Sequence, residues 1–171
     1  KKILLGSKAG SFGFRATIKI FNSFYNLKMT DRYKFVCLNQ GKHKIALILY
    51  VFFMKIFKKI NTQIEFFPIT DALTYNSMVS SISYFILQNR GGGTTARNFA
   101  KWGCGSLCIM KDSPNSNVFK DIYKIDIIDF EKYDEIANKI KDSHHIDIQQ
   151  NRIKIMDEES RALEVLSKLY A

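Results

Sequence analysis

A segment of eleven residues that follows an apolar run is the part of this chain best suited to chemistry. Residues 89–99 read Asn-Arg-Gly-Gly-Gly-Thr-Thr-Ala-Arg-Asn-Phe and come directly after the run from Ile82 to Leu87. Three glycines at the end of a strand leave the backbone open to close approach, and Arg90 and Arg97 bracket them. Because the chain has a formal net charge of +10, we expect the approaching group to be phosphate. The alternative is an ordinary turn, which a glycine-rich loop after a strand also forms.

The positive charge is concentrated in the first hundred residues. Residues 1–100 carry 15 Lys and Arg against 3 Asp and Glu, a net of +12, whereas residues 101–171 carry 11 against 13. The first acidic residue is Asp31. An acid-free basic stretch is typical of a mitochondrial transit peptide or of a nucleic-acid-binding arm. Because a transit peptide is normally cleaved, we predict a basic N-terminal arm over residues 1–33.

Aromatic residues are interleaved with these cations, and this pattern permits two interpretations. Aromatic rings can stack on exposed bases while Lys and Arg attract the phosphate backbone, or the rings can form the core and the cations the solvated surface. The aromatic residues concerned are Phe12, Phe14, Phe21, Phe24, Tyr25 and Tyr33. Charge and loop position predict a set of RNA contacts. The set comprises Lys8, Arg15, Lys28, Arg32, Lys42, Lys44, Arg90, Gly91, Gly92, Gly93, Arg97 and Lys101.

Short β-like runs alternate with helical runs from residue 34 onward. Strands are predicted at 34–39, 64–67, 83–87, 107–110, 125–130 and 146–148. Helices are predicted at 43–60, 71–80, 131–142 and from 157 towards the end, with Asp71 as an N-cap. Strands separated by helices imply crossover connections. We therefore predict a single α/β domain over residues 34–171, a three-layer sandwich with a mainly parallel sheet flanked by helices.

The longest apolar run is too short to cross a bilayer. It extends from Ile45 to Met54, ten residues, whereas a spanning helix needs about 20. We predict that it is a core helix and that the chain has no membrane span.

Neither a nucleotide site nor an enzyme is predicted. The dinucleotide fingerprint G-x-G-x-x-G is absent, since Gly6, Gly10 and Gly13 are spaced four and three residues apart. The chain also has no G-x-S-x-G elbow and no H-E-x-x-H helix. We expect no catalytic residue, no cofactor and no small-molecule substrate.

The three cysteines do not form a recognisable framework. Cys104 and Cys108 are spaced C-x-x-x-C, and His144 with His145 would complete four metal ligands. Zinc sites favour tighter cysteine pairs, so we predict ordinary thiols and no metal, and leave the metal alternative open.

Four patches along the chain resemble one family, the universal small-subunit ribosomal proteins called S-two. The family loop N-R-W-L-G-G-T-L-T-N-F is similar to residues 89–99 without a gap. The matching residues are Asn89, Arg90, Gly93, Thr95, Asn98 and Phe99. One patch near the N-terminus has two parts: the family's A-G-V-H-F-G-H is similar to residues 9–14, and the W-N-P-K-M that follows it is similar to residues 25–29. Its strand I-I-N-L is similar to residues 36–39, and I-P-G-N-D-D-A-I-R-A-V is similar to residues 153–163.

The chain also departs from the family pattern. The loop tryptophan is replaced by Gly91 and the histidines near the N-terminus are absent. The long helical hairpin that bacterial members insert after T-N-F is missing. Either 107–110 or 125–130 corresponds to the strand that follows the hairpin.

The resemblance implies a function in translation. The expected protein is a structural constituent of the small mitochondrial ribosomal subunit, in the matrix, which binds small-subunit rRNA and neighbouring ribosomal proteins. Heavy use of Phe, Ile, Tyr, Asn and Lys is typical of AT-rich coding sequence, such as that of an organelle genome or of a parasitic or protist nucleus. The alternative is an accessory subunit of another organellar assembly, such as a respiratory complex, in which basic residues contact anionic lipid.

Overall fold

The structure, a computed structural model, describes residues 1–8, 11–38, 43–68, 71–143 and 146–170. The strands are β1 (Lys2–Leu5), β2 (Lys34–Leu38), β3 (Gln63–Phe67), β4 (Tyr84–Ile86), β5 (Ser106–Met110) and β6 (Ile128–Phe130). The helices are α1 (Phe14–Asn26), α2 (His43–Lys58), α3 (Ala72–Ser80), α4 (Gly93–Trp102), α5 (Pro114–Asn117), α6 (Ile136–Asp142) and α7 (Ile148–Leu169). The predicted N-cap is confirmed, because the carboxylate of Asp71 accepts a hydrogen bond of 2.9 Å from the backbone N–H of Thr74.

All six strands run parallel in one sheet, in the order β3-β2-β1-β4-β5-β6. Parallel neighbours require crossover helices, and these cover both faces of the sheet. Helices α1, α2 and α6 pack on one face, and α3, α4 and α7 on the other. The predicted α/β three-layer sandwich is confirmed. The strand order is that of the Rossmann fold: the chain adds β2 and β3 on one side of β1, and then β4, β5 and β6 on the other side.

The prediction of an N-terminal arm over residues 1–33 is wrong. Strand β1 lies in the middle of the sheet, between β2 and β4. Ile3, Leu4 and Leu5 are fully buried, and α1 packs its apolar side on the sheet. An apolar strand flanked on both sides by others cannot be an independent arm, so β1 and α1 belong to the α/β domain.

The aromatic residues of this segment fill the core. Phe12, Phe21, Phe24 and Tyr33 are buried, and Phe14 and Tyr25 are partly buried. Phe24 lies edge-on to Phe35 of β2, with ring centroids 5.1 Å apart. The core interpretation is therefore confirmed for the four buried rings, which are not available to stack on bases.

Helix α2 is not the core helix that its composition predicts. Only Leu47 and Met54 of this helix are buried. Seven large apolar residues on its outer side are between 45% and 69% exposed, at spacings of three and four residues: Ile45, Ile48, Leu49, Phe52, Phe53, Ile56 and Phe57. We call this set the α2 outer face. A contiguous apolar surface of this kind is characteristic of a site where another molecule binds.

The C-terminal region also differs from the prediction. Residues 146–148 do not form a strand, because Ile148 already begins α7. The N-cap of α7 is Asp147, whose carboxylate accepts a hydrogen bond of 3.0 Å from the N–H of Gln150. Within the described ranges no helix combines the length and hydropathy needed to cross a bilayer.

Candidate nucleic-acid interface

The glycine loop after β4 lies at the carboxyl edge of the sheet, beside the loop that follows β1. The backbone N–H of Gly6 donates to the carbonyl of Ile86 at 2.9 Å, which extends the pairing of these two strands. Beyond that point Gln88 joins the loops, although it is 81 residues away from Ser7. Its amide oxygen accepts from the Ser7 N–H at 3.1 Å, and its amide nitrogen donates to Ser7 Oγ at 2.6 Å.

Buried amides hold the glycine loop in one conformation. The carbonyl oxygen of Gly91 accepts hydrogen bonds from Gln88 Nε2 and from Asn115 Nδ2, both at 3.1 Å. Asn115 also donates to the carbonyl of Gln88 at 2.6 Å. Tyr75 of α3 donates its hydroxyl to the Ser7 carbonyl at 3.2 Å. Burial raises the pKa of Tyr75, so its hydroxyl remains a donor at neutral pH.

The three glycines of the loop have different roles. Gly91 and Gly92 have φ angles of +74° and +77°, in a region of backbone conformation that residues other than glycine rarely adopt. At Gly92 an added Cβ would lie 2.7 Å from Ser7 Cβ and 2.5 Å from Gln88 Nε2, so this glycine is needed for packing between the loops. At Gly91 and Gly93 an added Cβ would meet no atom of the residues that the structure describes within 4 Å. The backbone is therefore open to an approaching group at Gly91 and Gly93.

Two helices begin at this edge without a side-chain cap. Helix α1 follows Gly13 and helix α4 follows Gly92, and neither has an acidic residue in its first turn. Unpaired N–H groups and the positive end of the helix dipole favour an anion at such a position. The local electrostatics at the carboxyl edge therefore suit phosphate.

The structure divides the predicted RNA contacts between two opposite edges of the sheet. Parallel strands place every loop that follows a strand at the carboxyl edge and every loop that precedes one at the amino edge. Those at the carboxyl edge are Lys8, Arg15, Lys44, Arg90 and the three glycines, and those near the amino edge are Lys28, Arg32 and Lys101. Helix α1, with 13 residues, separates the two groups by about 20 Å. Lys42 lies outside the described residues.

Arg90 is the free cation of the glycine loop. Its side chain is exposed, and no ion pair or hydrogen bond joins it to any residue that the structure describes. Lys8 and Arg15 are exposed as well. Lys44 lies over the ring of Phe66, 5.5 Å from its centroid, which leaves its charge accessible.

Arg97 and Lys101 are already engaged within the protein. Arg97 Nε lies 3.2 Å from Glu159 Oε1 of α7, and the Lys101 ammonium contacts the other carboxylate oxygen of Glu159. All three side chains are partly buried. These two cations therefore attach α7 to α4, and their charge towards an external phosphate is reduced.

Several residues that shape the interface were not predicted from the sequence. Ser7, Tyr75, Gln88 and Asn115 come from four separate segments, and nothing in their local pattern indicates that they meet. Trp102 is another, an exposed aromatic residue at the end of α4 whose ring lies 5.0 Å from the Lys101 ammonium. As the single tryptophan of the chain, it was the one of these residues that composition alone could have indicated.

The cysteines do not come together at a metal site within the described residues. Cys108 is fully buried on β5, whereas Cys104 is exposed in the turn before that strand. No group of three or more His, Cys, Asp or Glu that could hold a metal ion occurs in the described part of the chain. His144 and His145 lie outside it.

We expect one thiol of the folded protein to react rapidly with a maleimide at pH 8. Burial raises the pKa of Cys37 to about 12 and raises that of Cys108 as well, so both remain protonated thiols shielded from the reagent. Mass spectrometry should show one adduct on the native protein and three in denaturant, and Cys104→Ser should remove the native adduct. Rapid labelling of a second thiol in the folded protein would contradict this assignment.

The fold has a counterpart among solved structures. The crystal structure of α,α-trehalose 6-phosphate synthase from Burkholderia multivorans is similar to this chain, with a TM-score of 0.59 and 10% sequence identity. The similarity covers 94% of this chain and 38% of that protein. Neither a protein-family model nor a curated protein matches the chain. At this level of identity the similarity establishes the fold and carries no activity with it.

Proposed function

We propose that this chain is a structural, RNA-contacting protein of a small ribosomal subunit, acting in mitochondria. The observation that carries the proposal is the meeting of segments that resemble one family. Gln88 donates to the carbonyl of Gly91 in the loop at 89–99 and is hydrogen-bonded to Ser7, two residues before the patch at 9–14. The patch at 153–163 belongs to α7 and attaches to the same helix α4 through Glu159. The patches at 89–99 and 153–163 are thus in contact through Arg97 and Glu159, and this contact between segments that resemble one family supports the proposal.

The geometry of this region suits a phosphate backbone better than a small substrate. Exposed cations, two uncapped helix N-termini and the open backbone of Gly91 and Gly93 all favour an anion. Contacts of this type position a protein on RNA without reading the sequence of its bases. We infer that the protein neutralises rRNA phosphates at the carboxyl edge of the sheet and contacts neighbouring proteins elsewhere, without catalysis.

The test is a charge reversal at Arg90. Because Arg90 has no partner among the described residues, Arg90→Glu should leave the fold intact and weaken binding to a folded small-subunit rRNA transcript. The slope of log affinity against log salt should fall in magnitude by about one, as expected for one lost phosphate contact. Filter binding at several salt concentrations measures both quantities. Charge reversal at Arg97 would be a poorer test. It would place a second carboxylate beside Glu159 and so disturb the contact between α4 and α7 as well as any RNA contact.

The matched control is Lys141→Glu, an exposed lysine of α6 that belongs to neither group of predicted contacts. Both variants change the net charge equally, so a specific contact is indicated only when Arg90→Glu has the larger effect. Equal affinity and equal salt dependence in the two variants would remove Arg90 from the interface. Sedimentation of the tagged protein with ribosomal particles tests which assembly contains it. We expect co-sedimentation that is lost at high salt.

One observation favours the alternative of an accessory subunit in another organellar assembly. The α2 outer face offers a large apolar surface next to Lys55 and Lys58, which suits a protein or lipid neighbour. Co-purification with membranes that depends on detergent, together with no sedimentation with ribosomal particles, would support this alternative.

A further inference from the structure

A basic pocket lies at the amino edge of the sheet, on the side away from the glycine loop. The turn before β2 and the turn before β3 meet there and enclose a cavity of about 340 Å³. The residues that line it are Tyr25, Lys28, Thr30, Asp31, Lys58, Lys59 and Ile60. Lys58 and Lys59 are not among the cations that the sequence analysis predicted to bind RNA.

The charge of the pocket is positive and available. Lys28, Lys58 and Lys59 are exposed, and none of them forms an ion pair or a side-chain hydrogen bond with any residue in the described ranges. Asp31 is the one carboxylate lining the pocket, so three positive charges face one negative charge. Tyr25 and Thr30 also line the pocket, and a hydroxyl group is a hydrogen-bond donor of the kind that binds phosphate oxygens.

The backbone brings two of these lysines into the pocket at a conformational cost. Lys28 and Lys59 have φ angles of 54° and 55°, and each follows the last turn of a helix, α1 and α2 respectively. The Met29 N–H donates to the Phe24 carbonyl at 2.9 Å, and the Ile60 N–H donates to the Met54 carbonyl at 3.3 Å. These bonds define helix ends at which glycine or asparagine is the residue with least strain. Lysine stands at that position in both turns that form the pocket.

The helix ends themselves disfavour an anion, and the lysines compensate for this. The carboxyl ends of α1 and α2 carry partial negative charge. The bonds at Met29 and Ile60 cover part of that charge by occupying carbonyl oxygens of the last turns. The net charge of +2 that the three lysines and Asp31 give the pocket outweighs what remains.

We propose that this pocket binds a phosphate group of folded RNA. The inference deepens the proposed function, since it gives the protein a second phosphate contact on the edge of the sheet opposite to Arg90. Helix α1, about 20 Å long, connects the two edges. The lysine ammonium groups neutralise the phosphate, and the hydroxyl groups of Tyr25 and Thr30 donate to its oxygens. A free inorganic phosphate has the same chemistry and would occupy the same pocket.

The experiment compares two variants that lose equal charge. Lys28→Asn with Lys59→Asn empties the pocket of two cations, and asparagine tolerates the positive φ at both positions. The control is Lys124→Asn with Lys141→Gln, because Lys124 is also exposed and also has a positive φ of 51° but lies outside the pocket. Binding is measured with the folded small-subunit rRNA transcript over a salt series, and thermal stabilisation is measured with inorganic phosphate.

We expect the pocket variant to bind the RNA more weakly than the wild type, with a salt slope smaller in magnitude by about one. The control variant should bind more tightly than the pocket variant.

If wild type and pocket variant bind RNA alike while Arg90→Glu weakens binding, the pocket proposal fails and the proposed function stands. If the wild type binds no RNA, the proposed function fails. In that case phosphate stabilisation lost only in the pocket variant would still support a phosphate site, and equal stabilisation of all variants, or none, would overturn it.

Discussion

Gly92→Ala is expected to destabilise the protein by about 3 kcal/mol and to abolish the conformation of the glycine loop. A left-handed backbone costs a residue with a Cβ about 1–2 kcal/mol, and crowding against a packed neighbour costs a further 1–3 kcal/mol. Here the new Cβ would lie 2.7 Å from Ser7 Cβ, an atom that cannot move without the backbone of the β1 loop. Urea denaturation followed by circular dichroism measures the loss.

The neighbouring glycines are the controls for this substitution. Gly91→Ala has the unfavourable φ but open space, so a loss of about 1–2 kcal/mol is expected. Gly93→Ala lies in the first turn of α4 with an ordinary φ, so stability should be unchanged or rise by up to about 1 kcal/mol. Equal stability of Gly92→Ala and Gly93→Ala would show that the two loops do not pack as described.

The same series separates folding from binding. Because a methyl group at Gly93 meets no atom of the described residues within 4 Å, we expect Gly93→Ala to lower RNA affinity through contact with the RNA itself or its counterions. A folded Gly93→Ala protein with reduced affinity would therefore support close approach of the phosphate backbone to this helix start.

Leu47→Ala should cost about 3 kcal/mol, and Leu49→Ala should change stability by no more than about 0.5 kcal/mol. Both residues lie in helix α2, two positions apart, so the helix propensities before and after substitution are the same. Leu47 is fully buried, whereas Leu49 is 61% exposed on the α2 outer face. For a chain of this size the first substitution should lower Tm by roughly 6–12 °C. Scanning calorimetry or a dye-free thermal melt gives the comparison.

A large loss of stability in Leu49→Ala would mean that the α2 outer face is covered in the isolated protein, for instance by association of two copies. Size-exclusion chromatography of the wild type at several concentrations distinguishes this cause. In a single copy of the chain, the α2 outer face is apolar and exposed, and it does not contribute to the core. That combination is expected of a surface that packs on a neighbour in an assembly.

The sequence was sufficient to predict most elements after residue 34, because their local patterns agree with their environments. The helix at 71–80 begins with a capping carboxylate at Asp71, and β5 is a short apolar run bounded by polar residues. It was insufficient for residues 1–33, because β1 is only four residues long and its burial depends on pairing with residues 32 and 81 positions further along the chain. The lysines and arginine around α1 suggested an arm, yet they are only the solvent side of a helix whose other side is core.

The candidate interface shows the same division. The glycines and Arg90 were evident from spacing and charge. Gln88 and Asn115 were not, since an amide in a loop has no pattern that reveals its partner. By sequence, Arg97 and Lys101 are cations near the glycines just as Arg90 is. The structure distinguishes them, because Glu159 of α7 forms ion pairs with Arg97 and Lys101.

The amino-acid sequence alone therefore determined the α/β class, the alternation of strands and helices and the excess of positive charge near the glycines. These properties arise from local periodicity and composition, which a chain carries before it folds. Tertiary structure alone decided which cations are free, which glycine is needed for packing, and that Lys28 and Lys59 share a pocket. Each of these depends on the distance between segments that are remote in sequence, and only the packing of the sheet and its helices sets that distance.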